Sequence, residues 1–238
     1  MFTHYRAHGL ILSSRKRGEA DEVFTLYTRE FGMIDVSGRS IRKSSSKLKM
    51  GMSLFSLVEI GFIQGKSYNT LTDVIPLYRF KSAHLDLGKL SLFYRISEIV
   101  RSLVYGEEGD EELFSFLLEI FKKIDKSSLK KDELKLFYCF FAFNLLYFLG
   151  YKVYIEKCVF CGQEVEKSCY FNSKEGGVVC EGCFVKKPSG AYLEDIEFLR
   201  CFFEENMDKV FSQDADFINS ILEDYLTFIP EKNILYKK

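Results

Sequence analysis

Four cysteines carry the clearest chemistry in this sequence. Cys158 and Cys161 bracket Val159 and Phe160; after 18 further residues, Cys180 and Cys183 bracket Glu181 and Gly182. Two residues between cysteines let both sulfurs of one turn reach a single ion. Two such turns supply the tetrahedral four-sulfur set that zinc accepts at about 2.3 Å per bond. The intervening length falls within the range of zinc ribbons. Gly162 permits a tight turn after the second sulfur, and Gly176-Gly177 supplies a hairpin ahead of the second pair. Redox dithiols are the competing chemistry for such pairs, but two matched pairs at ribbon spacing favour zinc. Four thiolates fill the tetrahedron and leave no position for an activated water, so the ion is expected to be structural. A zinc deaminase needs a His-x-Glu tripeptide for its acid/base, and none occurs. Cys139 and Cys201 lie in apolar helical runs and read as core, while Cys169 lacks a partner at ligand spacing.

The second chemistry is cationic. No acid occurs between Gly38 and Leu57, whereas Arg39, Arg42, Lys43, Lys47 and Lys49 place five cations in eleven residues, with Ser44, Ser45 and Ser46 among them. A loop of this kind can follow a phosphate backbone, with serine hydroxyls adding contacts. Arg15, Lys16 and Arg17 form a second cluster, expected in the loop after the first strand. Tyr27, Phe31 and Tyr68 are candidates for base stacking. The competing reading is a solvated basic loop that binds nothing.

The elements that must position these groups divide the chain. Strand-like runs at Tyr5–Ser14, Glu22–Thr28, Met33–Ser37, Leu54–Phe62 and Tyr68–Ile75 are separated by Gly, Ser and Asn, with one long connection at 38–52 and a hairpin expected at Gly65-Lys66. In the fourth run Leu54, Ser56, Val58, Ile60 and Phe62 share one face. Phe55, Leu57 and Ile63 take the other, so cover on both sides is expected. Five short strands of this kind suit a small closed barrel of the oligonucleotide-binding (OB) type. After Pro76 the period becomes helical: Leu85–Tyr105, stopped by Gly106; Asp110 to Ile124, with acids at its positive end; Leu129–Leu149; then Leu193–Glu205 and Asp216–Phe228, the last ended by Pro230. The third of these is apolar all round and is expected at the bundle centre. The fold class is therefore α+β and multidomain. An N-terminal OB-type barrel spans residues 1–78, and a helical domain spans 79–238 with the four-cysteine zinc module inserted at about 155–188.

Composition supports a packed protein: 47% of residues are hydrophobic and 28% charged, which excludes a largely disordered chain. The net charge of -1 conceals an asymmetry. Residues 1–80 hold 12 Lys and Arg against 7 Asp and Glu, and the remainder holds 21 against 27, so a polyanion is expected at the front. Leu136–Leu149 is apolar except for Asn144 but falls short of the roughly 20 residues that span a bilayer. The opening MFTHYRAHGL lacks the apolar stretch of a secretory signal, so a reducing cytoplasm and no membrane are expected.

The order of motifs resembles that of the RecO family of bacterial recombination mediators. The resemblance rests on Gly9-Leu-Ile-Leu12, Gly18-Glu-Ala-Asp21, Thr25-Leu-Tyr-Thr28-Arg29-Glu30-Phe-Gly32, Gly38-Arg39 and Arg42-Lys43-Ser44. It implies an N-terminal OB barrel followed by a helical domain, with a four-cysteine module between helices as found here. It also implies a non-enzymatic role: binding single- and double-stranded DNA, annealing complementary strands, and working with RecR to help load RecA onto strands coated by single-strand binding protein, whose C-terminal tail is a further partner. The setting implied is the cytoplasm, with nucleoid association during repair. Arg39, Arg42 and Lys43 carry the family's binding role across, whereas Gly18, Glu19, Asp21, Thr28 and Gly32 are expected to shape the barrel. The sequence departs from the family pattern after the basic loop, where Met50-Gly-Met-Ser53 replaces a segment that often holds proline, and in the acidity of the helical half.

Two other classes compete. A zinc-ribbon module for protein–protein interaction, without direct DNA function, would leave the basic loop incidental. An enzyme is disfavoured, because no P-loop, paired-carboxylate or nucleophile motif occurs. His4, His8 and His84 lack catalytic company and read as surface or packing residues.

Overall fold

Every second residue of the strand Ser56–Ile63 is buried, and this alternation places one face of the strand in a core. A computed structural model describes residues 3–65, 68–106, 108–165, 169–184, 191–193, 199–201 and 207–229. In it five strands close on one another: β1 (His4–Arg17), β2 (Asp21–Thr28), β3 (Gly32–Gly38), β4 (Ser56–Ile63) and β5 (Asn69–Arg79). The order around the barrel is β1-β2-β3-β5-β4. β4 pairs with β1 from Leu10↔Leu57 to His4↔Ile63. β3 meets β5 in parallel over only two pairs, Val36↔Asn69 and Ser37↔Thr70. This is the Greek-key barrel that the strand pattern implies. Its interior is filled by Ala7, Ile11, Leu26, Val36, Val58 and Ile60 among others, each under 2% exposed.

One correction concerns β1. Arg15, Lys16 and Arg17 do not form a loop; they pair with Val23, Glu22 and Asp21 of β2, and only then does the chain turn through Gly18 at φ 59°. Three consecutive cations read as loop by composition, yet backbone pairing is indifferent to side-chain charge when the strand edge faces water.

Helices α1 (Lys81–Leu85), α2 (Leu87–Leu103) and α3 (Glu111–Lys126) belong with the barrel to the compact unit Met1–Ser128. Asp86 caps α2 by accepting from the amides of Gly88 and Lys89, and Asp110 caps α3 by accepting from that of Leu113. The aromatic Phe55 has φ 53°, a left-handed conformation that costs an L residue about 1–2 kcal/mol. It is held there because its ring is fully buried beside Phe93 at 5.4 Å and Tyr94 at 4.8 Å, burial that contributes about 2–3 kcal/mol. Phe55 is thus covered on the far side of the strand as expected, while Leu57 and Ile63 are only half-buried.

The second compact unit begins at Leu129. Its α4 (Lys131–Phe148) buries all but one residue from Leu136 to Leu146, as its all-round apolarity implies. It packs against α6 (Met207–Phe211) and α7 (Ala215–Thr227). Between them lie β6 (Cys169–Asn172), β7 (Gly177–Val179), α5 (Glu181–Phe184) and β8 (Ala191–Leu193), the strands forming one sheet in the order β7-β6-β8. No helix among the described residues is long and apolar enough to cross a membrane. The expected helix Leu193–Glu205 falls mostly outside the described residues, as do Lys66 of the β4–β5 connection, Pro230 and parts of the 155–188 insertion.

Candidate functional site

The cysteine module is built by two turns. After Cys158 the chain doubles back, with the Gly162 amide donating to the Cys158 carbonyl at 2.8 Å and Gly162 at φ 74°. The second pair opens α5, where the amides of Cys183 and Phe184 donate to the Cys180 carbonyl at 3.1 and 3.0 Å. The hairpin ahead of it turns through Gly176 at φ 67°, and Gly177 has no room for a side chain, because a Cβ there would lie 2.6 Å from the Tyr154 carbonyl oxygen.

These turns bring the sulfurs of Cys158, Cys161, Cys180 and Cys183 within 4.8 Å of one another. The Cys161 and Cys180 sulfurs are 3.7 Å apart, close to the edge of about 3.8 Å that a tetrahedron with 2.3 Å metal–sulfur bonds requires. Burial opposes ionisation of Cys158, but the amides of Cys180, Cys161 and Phe160 outweigh it and hold the thiol down at about 6. Cys183 is pushed up to about 12, chiefly by hydrogen bonding with the Cys161 and Cys180 sulfurs. Cys158 thus ionises ahead of Cys180 and Cys183, and an ion would displace the protons that remain. The group could hold one metal ion. Cys139, Cys169 and Cys201 are buried and stand outside this group.

On the barrel, the basic loop and the β1–β2 turn lie together. Arg42 donates through Nη1 to the Glu19 carbonyl at 2.9 Å, and its backbone amide donates to the Ala20 carbonyl at 3.0 Å. The Ser40 amide donates to Asp21 Oδ1 at 2.7 Å. Gly18, Glu19 and Asp21 therefore shape the turn and seat the loop on it. Arg39, Lys43, Lys47 and Lys49 are exposed and make no ion pair among the described residues. Lys49 and the half-buried Arg42 line a pocket of about 310 Å³ together with Glu22, Phe24, Ile41 and Met52.

The Arg15–Arg17 cluster flanks the same turn. Arg17 lies over the Tyr68 ring at 4.3 Å, and Arg15, at 5.9 Å from that ring, also donates to Asp35 Oδ2 at 2.9 Å. Lys16 is exposed and alternates to the other side of β1. Sequence reasoning missed both this coupling of β1 to Tyr68 and the anchoring role of Arg42; neither leaves a local signal, since both depend on chain segments far apart. Tyr27 is a correction: it is 1% exposed and stacked on Phe114 at 6.5 Å, so it cannot meet a base. Burial, helped by the charge of Asp110, pushes its phenol up to about 12.

The motif Thr28 to Gly32 has a structural explanation. Thr28 Oγ1 donates to the Gly32 carbonyl at 2.9 Å and accepts from the Phe31 amide at 3.1 Å, closing the β2–β3 turn. His8 Nδ1 meets Glu30 Oε1 at 2.8 Å, and His84 Nε2 meets the Leu54 carbonyl at 3.2 Å.

Two family descriptions match the chain: Recombination protein O N terminal over residues 1–80 and Recombination protein O C terminal over residues 84–228. The DNA repair protein RecO of Desulfitobacterium hafniense (strain DSM 10664 / DCB-2) is 29% identical over 188 residues, 79% of this chain and 67% of that protein. That of Thermoanaerobacter sp. (strain X514) is 25% identical over 207 residues, 86% and 82% of the two chains. That of Heliobacterium modesticaldum (strain ATCC 51547 / Ice1) is 33% identical over 162 residues, 68% and 57%.

Proposed function

This chain belongs to the RecO family of DNA repair proteins, and on that premise we propose that it works by binding energy alone, as a recombination mediator. Residues 1–78 form its nucleic-acid-binding domain, and residues 79–238 form the helical domain that carries the cysteine module. It binds single- and double-stranded DNA, anneals complementary strands and, with RecR, helps load RecA onto DNA coated by single-strand binding protein, engaging that protein's C-terminal tail. It acts in the cytoplasm, at the nucleoid during repair. The ion on Cys158, Cys161, Cys180 and Cys183 is a structural zinc, which supplies cross-linking of the two turns.

One observation carries this reading. Arg42 seats the basic loop on the β1–β2 turn at Glu19 while Arg17 and Arg15 gather at Tyr68, so both cation clusters flank one turn of the barrel. The β2–β3 face and the loops β1–β2 and β4–β5 are where barrels of this type hold oligonucleotides. Exposed cations there neutralise phosphates, and each contact releases counterions, so affinity falls steeply with salt.

The test is fluorescence anisotropy of a labelled single-stranded oligonucleotide across a salt series, comparing the wild type with Arg39→Ala, Arg42→Ala, Lys43→Ala combined. The expected result is tight, salt-sensitive binding whose log–log slope drops by about 2 in the variant, roughly 0.7 per lost contact. Equal slopes, or no binding by either protein, overturn the reading and leave the cysteine module as a protein-interaction element.

A further inference from the structure

Three rings form a box in the barrel wall. Tyr5 and Phe62 stack at 5.5 Å with 22° between their planes. Phe31 presents its edge to both, at 5.6 Å and 85° to Tyr5 and at 5.6 Å and 82° to Phe62. Together with Ile34, Gln64 and Asn69 they enclose a pocket of about 170 Å³. It opens beside the stretch where β3 and β5 share only two pairs, so the wall next to Ile34 lacks a neighbouring strand on that edge. Phe62 and Ile34 are buried and make the floor, while Tyr5 and Phe31 are partly exposed at the mouth.

We infer that this pocket is a subsite for one unstacked nucleobase, an inference that rests on the proposed strand-binding role. The volume is well below the roughly 300–1,000 Å³ of sites for whole small molecules and suits a single planar group. Aromatic faces and edges suit a base of any identity, because every base has a π face. The mouth is polar: Tyr5 Oη donates to Gln64 Oε1 at 3.3 Å, and the Gln64 amide nitrogen has no partner among the described residues. The Asn69 side-chain carboxamide makes no hydrogen bond among the described residues. Carboxamides of this kind offer a donor and an acceptor to a base edge. An apolar protein side chain would leave them unpaired, which costs binding energy.

Position strengthens the choice. Asn69 lines the pocket while the adjacent Tyr68 lies under Arg17 and near Arg15. A phosphate held by Arg17 and a base entering beside Asn69 would therefore be received by adjacent residues of the chain.

The test compares the full-length wild type with Phe31→Leu combined with Asn69→Ala, and with Asn69→Ala alone, which alters only the mouth of the pocket. Each is titrated by anisotropy with a labelled single-stranded oligonucleotide and with one of equal length made of abasic sites. The wild type should prefer the intact strand by roughly 5- to 150-fold, the range that stacking of one base supports. Both variants should shrink that ratio, the double variant most, with the salt slope unchanged. Wild type that binds both strands equally, or a ratio that survives in the variants, overturns the subsite alone. Binding of neither strand overturns the strand-binding role and the subsite with it. In a parallel NMR titration, adenosine should shift the Tyr5 and Phe31 ring signals. A response to N-acetylphenylalaninamide and none to adenosine would assign the pocket to a protein side chain instead.

Discussion

The two turns that bound β2 begin from similar materials. The β1–β2 turn follows Arg17 and passes through Gly18 at φ 59°; the β2–β3 turn follows Arg29 and ends at Gly32 at φ 60°. Their surroundings differ completely. A Cβ on Gly18 would meet nothing within 4 Å, whereas one on Gly32 would lie 2.6 Å from the Glu108 carbonyl oxygen and 2.9 Å from that of Gly106. The Met33 amide donates to the Gly106 carbonyl at 3.2 Å, Gly109 leaves no room against the Arg29 and Glu30 backbone, and Arg29 forms an ion pair with Glu111. At the other turn Arg17 rests on Tyr68, a partner that leaves its charge uncompensated. A cation and a left-handed glycine do not by themselves make a binding site. What decides is whether a helix cap and an acid have already claimed them.

The largest effect expected lies outside both turns and serves as their reference. Cys180→Ser, or removal of metal by a chelator, should unfold the cysteine module, because structural zinc contributes apparent free energies of about 10–16 kcal/mol in finger peptides. Metal content by atomic absorption and a melting curve report the loss. Oligonucleotide affinity should change by less than about twofold, because the proposed strand site is built wholly from residues of the first compact unit. A larger drop would bring the module into the strand path and break the contrast between the turns as the whole account of the site.

Next in size is the glycine pair. Gly32→Ala should cost about 2–4 kcal/mol, since a left-handed alanine must also displace backbone oxygens. Gly18→Ala should cost about 1 kcal/mol, the conformational penalty alone. Denaturant midpoints measure both, and equal midpoints would mean that the α2–α3 connection yields freely to the β2–β3 turn. A smaller but more pointed effect separates the arginines. Arg17→Ala should lower the salt slope of single-strand binding by about 0.7, one phosphate contact. Arg29→Ala should leave the slope alone and cost about 0.2–1 kcal/mol of stability, as for an exposed ion pair. A slope change at Arg29 would show that its pairing with Glu111 is surrendered to DNA.

What the sequence made legible follows the range of the interaction concerned. The four-cysteine cluster was readable because two residues of spacing encode a turn, and a turn is local. The five strands were readable from alternation, and α4 from its lack of any polar face. Tyr27 was misread because DEVFTLYT hides a strand covered on both sides: Phe24 and Leu26 face the barrel core while Tyr27 lies against Phe114 of α3. The end of β1 was misread because cations suggested a loop while the ladder ran on to Arg17↔Asp21. Arg42 looked like one more phosphate ligand, yet its guanidinium is also a tether to Glu19, 23 residues earlier in the chain. Nothing in the neighbourhood of Arg42 announces that partner. Cation count was therefore silent about which cations are already engaged.

The subtlest test of the comparison frees a cation at the open turn by removing the acid that pairs with it. Asp35 accepts from Arg15 at 2.9 Å and from Thr25 Oγ1 at 2.7 Å on the same outer face that carries Tyr68 and Arg17. It is the acid at the open turn that answers Glu111 at the closed one. Asp35→Asn keeps an oxygen for Thr25 and keeps the Thr25↔Asp35 backbone pair, so β3 should hold its register. It abolishes the charge that competes with phosphate for Arg15. Exposed pairs of this kind contribute about 0.2–1 kcal/mol, which sets the expected gain in single-strand affinity at roughly 1.5- to 5-fold. The gain should shrink as salt rises, because screening acts over about 10 Å at 0.1 M. A fall in affinity would mean that Asp35 holds Arg15 in its working pose, and that at this turn, too, an acid has claimed a cation to good effect.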